Sequence, residues 1–194
     1  MKNKSTINKG FSLVEMLVAV ALFASVMLIG VGALLSLIDA NRKAQSLNSV
    51  INNLNFALES MSRNMRVGTT YHCSVNNNVP PNIDSTKDCK NGGKLVGFES
   101  SGGDPNDPND QFVYRINGSQ LEMSKTSGSA NSFISITASE VTIEDFNFYV
   151  DGTSTSDDFQ PRIIMTIKGS AGIDEKTKTE FNLETMVSQR VLDL

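Results

Sequence analysis

The sequence predicts an α+β chain. One long N-terminal helix, membrane-spanning in its first half and amphipathic in its second, packs on an antiparallel β-sheet. Three observations carry this expectation. Phe11 to Ile38 is a run of 28 residues whose one ionisable side chain is Glu15. Leu47, Val50, Ile51, Leu54, Leu58, Met61 and Met65 then recur at three- and four-residue steps, and no proline precedes Pro80 to break a helix. Beyond residue 111 the pattern changes to short alternating runs punctuated by Asn117-Gly118, a strong hairpin signal.

A chain of 194 residues has room for one domain and an anchoring segment. Its formal charge is −4, and no basic footprint points to nucleic acid, so no direct nucleic-acid binding is expected. Tryptophan is absent and His72 is the one histidine, which leaves little material for a catalytic constellation. No cofactor and no catalytic residue are expected, and the chain is read as a non-enzyme.

The apolar run is the first element. At ~1.5 Å per residue it rises ~42 Å, enough to cross a bilayer core of ~30 Å with some tilt. Lys2, Lys4 and Lys9 precede it and no comparable basic cluster follows, which orients its start toward the cytoplasm. An ordinary secretory signal carries an apolar stretch of about 7–15 residues before a small-residue cleavage site. This run is about twice as long, so the anchor is expected to stay.

Two details separate the segment from a plain anchor. At Lys9-Gly10-Phe11 charge, flexible backbone and apolar bulk meet, and a glycine lets a protease approach its carbonyl closely. Glu15 then sits on the second turn of the apolar run, where a charge costs roughly 2.5–3.5 kcal/mol on the insertion scale. Cleavage after Gly10 would create an α-amine on Phe11, cationic near neutral pH with a pKa of about 8. Glu15 of the same or a neighbouring chain would then offset that charge.

Lys9 to Ala19, Lys-Gly-Phe-Ser-Leu-Val-Glu-Met-Leu-Val-Ala, resembles the class III signal of type IV prepilins and pseudopilins throughout. The resemblance implies a leader, residues 1–10, cut by prepilin peptidase between Gly10 and Phe11. It also implies N-methylation of Phe11, Glu15 as the assembly residue, and 11–38 as a transmembrane and filament-core helix. Other pilins or pseudopilins, the inner-membrane assembly platform and membrane lipid would be its partners. The implied location is the cytoplasmic membrane with the C-terminal domain exported, then a surface or periplasmic filament. Loss of the leader leaves 14 basic against 21 acidic side chains, a net −7 that favours solubility. The bland alternative is a single-pass anchor in which Glu15 snorkels to the interface.

Residues 39–67 are expected to continue the same helix as its amphipathic half. Gly68 is placed as C-cap, with Arg63 and Arg66 in the last turn, where cations are favoured. Gly30 and Gly32 each lower helix propensity by ~1 kcal/mol relative to alanine; close packing, local melting in a filament and neutrality in lipid are all open readings of them. The exported domain, 68–194, opens with a stretch at 68–111 that reads as a long loop. Asn76-Asn77-Asn78, Pro80-Pro81 and Gly92-Gly93 are its turn signals. Cys73 and Cys89 lie 16 apart. In a cytosolic protein they would be free thiols; in an exported one they are most simply a disulfide, worth about 3 kcal/mol on the chain-entropy account. Asp104, Asp107 and Asp110 form a weak calcium candidate, without the glycine and glutamate of a calcium-loop signature; a solvated acidic turn explains them better.

Strands are expected at 112–116 and 121–123, joined by a type I′ turn that pairs Tyr114 with Leu121 and Phe112 with Met123. Further strands are placed at 133–137, 141–150, 162–168 and 179–188. Asn117-Gly118-Ser119 is formally a glycosylation sequon, but its place in a tight turn accounts for it.

Asn55 to Arg66 and Phe181 to Arg190 resemble the helix end and last strand of J-type minor pseudopilins and related minor pilins. With the N-terminal motif this covers about 40 residues. Glu15 argues against a K-type tip subunit, and the lack of a proline in the anchor helix weakens the reading as a major pilin. The resemblance implies a minor structural subunit of a type IV pilus or type II secretion pseudopilus, priming assembly near the tip. Two other classes compete: an anchored binding module using 74–111 as its surface, and an anchored enzyme with a His72–Cys73 thiol site.

Overall fold

The computed structural model describes residues 10–80, 83, 85–104, 107–129, 131–154, 156, 159–172 and 178–190. The expected leader therefore lies, apart from Gly10, outside the described residues. Among the described residues one helix, α1, runs from Leu13 to Val67, and nine strands follow: β1 Thr69–Ser74, β2 Cys89–Gly93, β3 Leu95–Glu99, β4 Phe112–Asn117, β5 Gln120–Ser124, β6 Ile134–Ser135, β7 Val141–Asp151, β8 Arg162–Ala171 and β9 Thr179–Ser188. The chain up to Arg42 and the chain from Lys43 onward form separate compact units.

In the first unit every described side chain is exposed. In the second, Val50, Leu54, Ala57, Met61 and Met65 of α1 are buried. The steps of four, three, four and four residues keep them on one face. Leu47 and Leu58 are half-buried and Ile51 is exposed, so Ala57 belongs to the stripe in place of Ile51. The helix is tied to the strands by polar contacts as well. Asn64 Nδ2 donates to the Tyr114 hydroxyl at 2.9 Å, and Asn53 Oδ1 accepts from the Ala138 amide at 3.0 Å.

The predicted α+β class is what the structure has, but the strands form two antiparallel sheets rather than one. Their orders are β1-β3-β4-β5-β6 and β2-β7-β8-β9. The chain changes sheet between Gly93 and Leu95. The predicted loop 68–111 is also corrected, because β1, β2 and β3 lie inside it. Two of them, β3 and β2, lack the expected alternation for a physical reason. Every residue of β3 is buried, with Val96 and Phe98 in the main core and Leu95 packed with Ile83 and Val113 in a second cluster. A strand buried on both faces reads as an unbroken apolar run. The sequence of β2 is Cys-Lys-Asn-Gly-Gly, and its pairing to β7 is irregular.

Gly68 follows the helix, as expected, but does not end it through a left-handed conformation; it is absent from the positive-φ residues. A Cβ there would lie 2.4 Å from Phe98 Cδ2, so glycine is needed for close approach to β3. The last carbonyls are satisfied from outside the helix. Tyr71 OH donates to Met65 O and lies 3.0 Å from Gly68 O, while the Arg190 amide donates to Arg66 O at 2.7 Å.

The β4–β5 hairpin is found with a different register. Asn117 pairs with Gln120, Ile116 with Leu121 and Tyr114 with Met123, so Gly118-Ser119 is the two-residue loop. Gly118 has φ +60° and Ser119 does not share the positive φ, the pattern of a type II′ turn rather than I′. The pairing moved by two residues, so the apolar side chains keep the predicted common face.

Candidate functional site

Ser12 decides where α1 begins. Its carbonyl accepts the first helical bond from the Met16 amide at 3.2 Å, and its Oγ accepts from the Glu15 amide at 3.2 Å. Ser12 is thus the N-cap and Glu15 the third helical residue, the two conserved types of a Ser-x-x-Glu capping box. The sequence reading missed this role, although the spacing was visible. The acid in the first turn also meets the positive end of the helix dipole.

The Glu15 carboxylate makes no hydrogen bond or ion pair among the described residues, and Phe11 is 78% exposed. The capping box is therefore only half made: Ser12 holds the Glu15 amide while the carboxylate is left over. A Cβ on Gly10 would meet nothing within 4 Å, and the same holds at Gly30 and Gly32. Nothing among the described residues requires glycine at these three places. The apolar run is wholly exposed, and α1 is long and apolar enough to cross a membrane. Contiguous apolar surface on that scale marks burial in lipid or against other chains.

Cys73 and Cys89 form a disulfide, with Cα atoms 5.6 Å apart. It joins β1, at an edge of the first sheet, to β2, at an edge of the second. Beside it the Cys73 amide donates to Lys87 O and the Lys87 amide to Tyr71 O, both at 2.9 Å. Gly93 lies against the bridge, where a Cβ would sit 2.5 Å from Cys73 Sγ and 2.7 Å from Ser74 O. His72 is buried, with Nδ1 2.7 Å from Ser85 O. The competing thiol site at His72–Cys73 is not formed, because the Cys73 sulfur is bonded and successive strand residues face opposite ways.

The three aspartates considered for calcium do not converge. Asp107 Oδ1 accepts from the Asn109 amide and side chain at 3.0 and 3.1 Å, an Asx turn, while Asp110 Oδ2 accepts from the Asp104 amide at 2.8 Å. Among the described residues no three Asp, Glu, His or Cys side chains are placed to hold a metal. The acid that joins Asp110 is Glu99, 7% exposed, which no sequence signal marked. Gln111 Nε2 donates to its Oε2 at 3.3 Å, whereas Glu99 Oε1 and Asp110 Oδ1 are buried without a hydrogen bond among the described residues. Burial first, then the Asp110 charge, holds the Glu99 carboxyl above its ordinary value, against the Gln111 hydrogen bond.

Comparison with known families matches residues 6–31 to the prokaryotic N-terminal methylation motif. No curated protein and no solved structure matches the chain. The matched segment holds Gly10, Phe11, Ser12 and Glu15, the residues at the head of α1.

Proposed function

We propose that this type IV pilin-like chain is a minor structural subunit of a type IV pilus or a type II secretion pseudopilus. In this reading residues 1–10 are a leader removed by prepilin peptidase after Gly10, and Phe11 is then methylated on its new amine. Residues 11–38 form the filament-core helix, 39–67 its amphipathic half, and 68–194 the exported domain. The observation that carries the proposal is the half-made capping box at the head of an exposed apolar run. The amide of Glu15 is satisfied by Ser12, and its carboxylate has no partner among the described residues.

The mechanism follows from charge. The free amine of Phe11 would lie beside the positive end of α1, an unfavourable placement. Glu15 of the same chain offsets part of it. When helices pack with an axial offset, Glu15 of one subunit also reaches the Phe11 amine of the next. In lipid the pair replaces an isolated charge, so assembly is rewarded. Gly10 leaves the scissile carbonyl open to the peptidase, and Gly30 and Gly32 allow neighbouring helices to approach. The helix-end and last-strand resemblances, together with an anchor free of proline, favour a minor subunit that primes assembly near the tip.

Intact mass and N-terminal sequencing of the protein from its host membranes test this. A chain beginning at Phe11 and about 14 Da heavier than the bare cleaved form supports processing and methylation. A chain still beginning at Met1 refutes the filament mechanism.

A further inference from the structure

A sheet edge that carries unpaired main-chain groups is a template for another strand, and folded proteins blunt such edges by shortness, bulges or cover. Three of the four edges here are blunted. β6 has two residues. β1 breaks register between Thr69 and His72 and is covered by the bridge to Lys87. β2 is paired irregularly over five residues. β9 is not blunted: it pairs with β8 through ten consecutive residues without a bulge, and it contains neither proline nor lysine. From Glu180 to Ser188 its other side has no main-chain partner among the described residues.

The side chains along that edge specify what would fit. On the outer face of the sheet Tyr149, Ile164 and Met186 stand opposite one another across β7, β8 and β9. The row ends at the open edge with Met186, which is 62% exposed. Beside Tyr149 and Ile164 the face is hollowed by a cavity of about 230 Å³. Two and six residues before Met186, Glu184 and Glu180 point to the same exposed face.

We propose that β9 is a docking edge for an extended segment of a different pilin-like subunit. That segment adds as a fifth strand to the β2-β7-β8-β9 sheet. It sets an apolar side chain opposite Met186, continuing the Tyr149–Ile164 row, and Lys or Arg opposite Glu184 and Glu180. The free main-chain groups select a strand over a helix, and the cross-strand pairs select its sequence. A second copy of this chain is a poor occupant. In the antiparallel register that brings two Met186 side chains together, each Glu184 faces Ser188 and gains no cation. The proposal rests on the pilin reading, since filament packing is what holds another subunit's chain beside this edge.

The test uses the full chain in its host membranes, with a benzophenone amino acid replacing Met186 and, as a control, the exposed Asn91 on β2. After irradiation, mass spectrometry identifies the adduct and the N-terminus in one sample. The expected result is an adduct, specific to position 186, on a second chain bearing a prepilin-type N-terminus, at a basic extended segment. Glu184→Lys replaces attraction by like-charge repulsion and should cut the adduct on the order of tenfold. Glu184 is exposed, so that variant folds. A chain beginning at Phe11 that gives no specific adduct, an adduct with its own copy, or a yield indifferent to Glu184→Lys overturns the docking edge and leaves the pilin reading standing. A chain beginning at Met1 overturns the pilin reading, and an adduct then found on a protein without a prepilin-type N-terminus overturns the named occupant as well.

Discussion

Opening the Cys73–Cys89 bridge should destabilise the strand-rich domain by an amount set by the loop it closes. The sequence separation is 16 residues, and both cysteines are buried in the main core. Loop-closure entropy for that length amounts to about 3 kcal/mol. The neighbouring bonds between Tyr71, Cys73 and Lys87 need no sulfur and should keep the native geometry in the reduced protein. Full-length protein in detergent micelles, melted with and without reductant, would report the loss. A domain of about 150 residues should fall by roughly 6–12 °C for about 3 kcal/mol. The double variant Cys73→Ala/Cys89→Ala should lose somewhat more, because it removes buried atoms as well as the link. A fall below about 1 kcal/mol in both forms would refute the loop-entropy reasoning. Free thiols in protein isolated from its host would show that the bridge is not used there.

Gly10→Val should block processing, read as retention of the leader by mass; normal cleavage would remove the protease assignment. Among the described residues a Cβ at Gly10 meets nothing within 4 Å, so a block would not trace to a clash with them. Glu15→Ala should be processed normally yet enter filaments at a small fraction of the native amount; full incorporation would end the ion-pair account. Gly93→Ala places a methyl within 2.5 Å of Cys73 Sγ and 2.7 Å of a backbone oxygen, where neither can yield easily. It should cost about 1–3 kcal/mol in the same melts, and a neutral result would show the bridge to be movable. Glu99 supplies a pH dependence. Its folded pKa is raised, so its contribution is full below the unfolded value of 4.5 and is lost as pH rises through the folded one. Glu99→Gln also gives Asp110 a donor in place of a repelling carboxylate. It should therefore raise stability at pH 7 by about 1 kcal/mol and change it less at pH 4; equal effects at both would contradict the assignment.

What could be read from residues alone was whatever is local in the chain. The residues expected to carry cleavage and charge pairing, Gly10, Phe11 and Glu15, lie within six residues. The stripe of α1 and the faces of β4 and β5 follow from periods of 3.6 and 2. These features need no knowledge of what lies opposite, and the hairpin kept its faces even though its turn moved by one position in the chain. Tertiary structure decided what depends on distant neighbours. β3 is a strand because two cores meet on it, and Gly68 is glycine because Phe98 arrives from 30 residues away. The carboxyl of Glu99 is held above its ordinary value only once burial, and then the Asp110 charge, are brought to it by folding. The division into two sheets, the bridge between them and the open edge of β9 exist only after the chain has folded. Sequence patterns record the period of each element, whereas pairing partners are chosen by the packing of elements far apart in the chain.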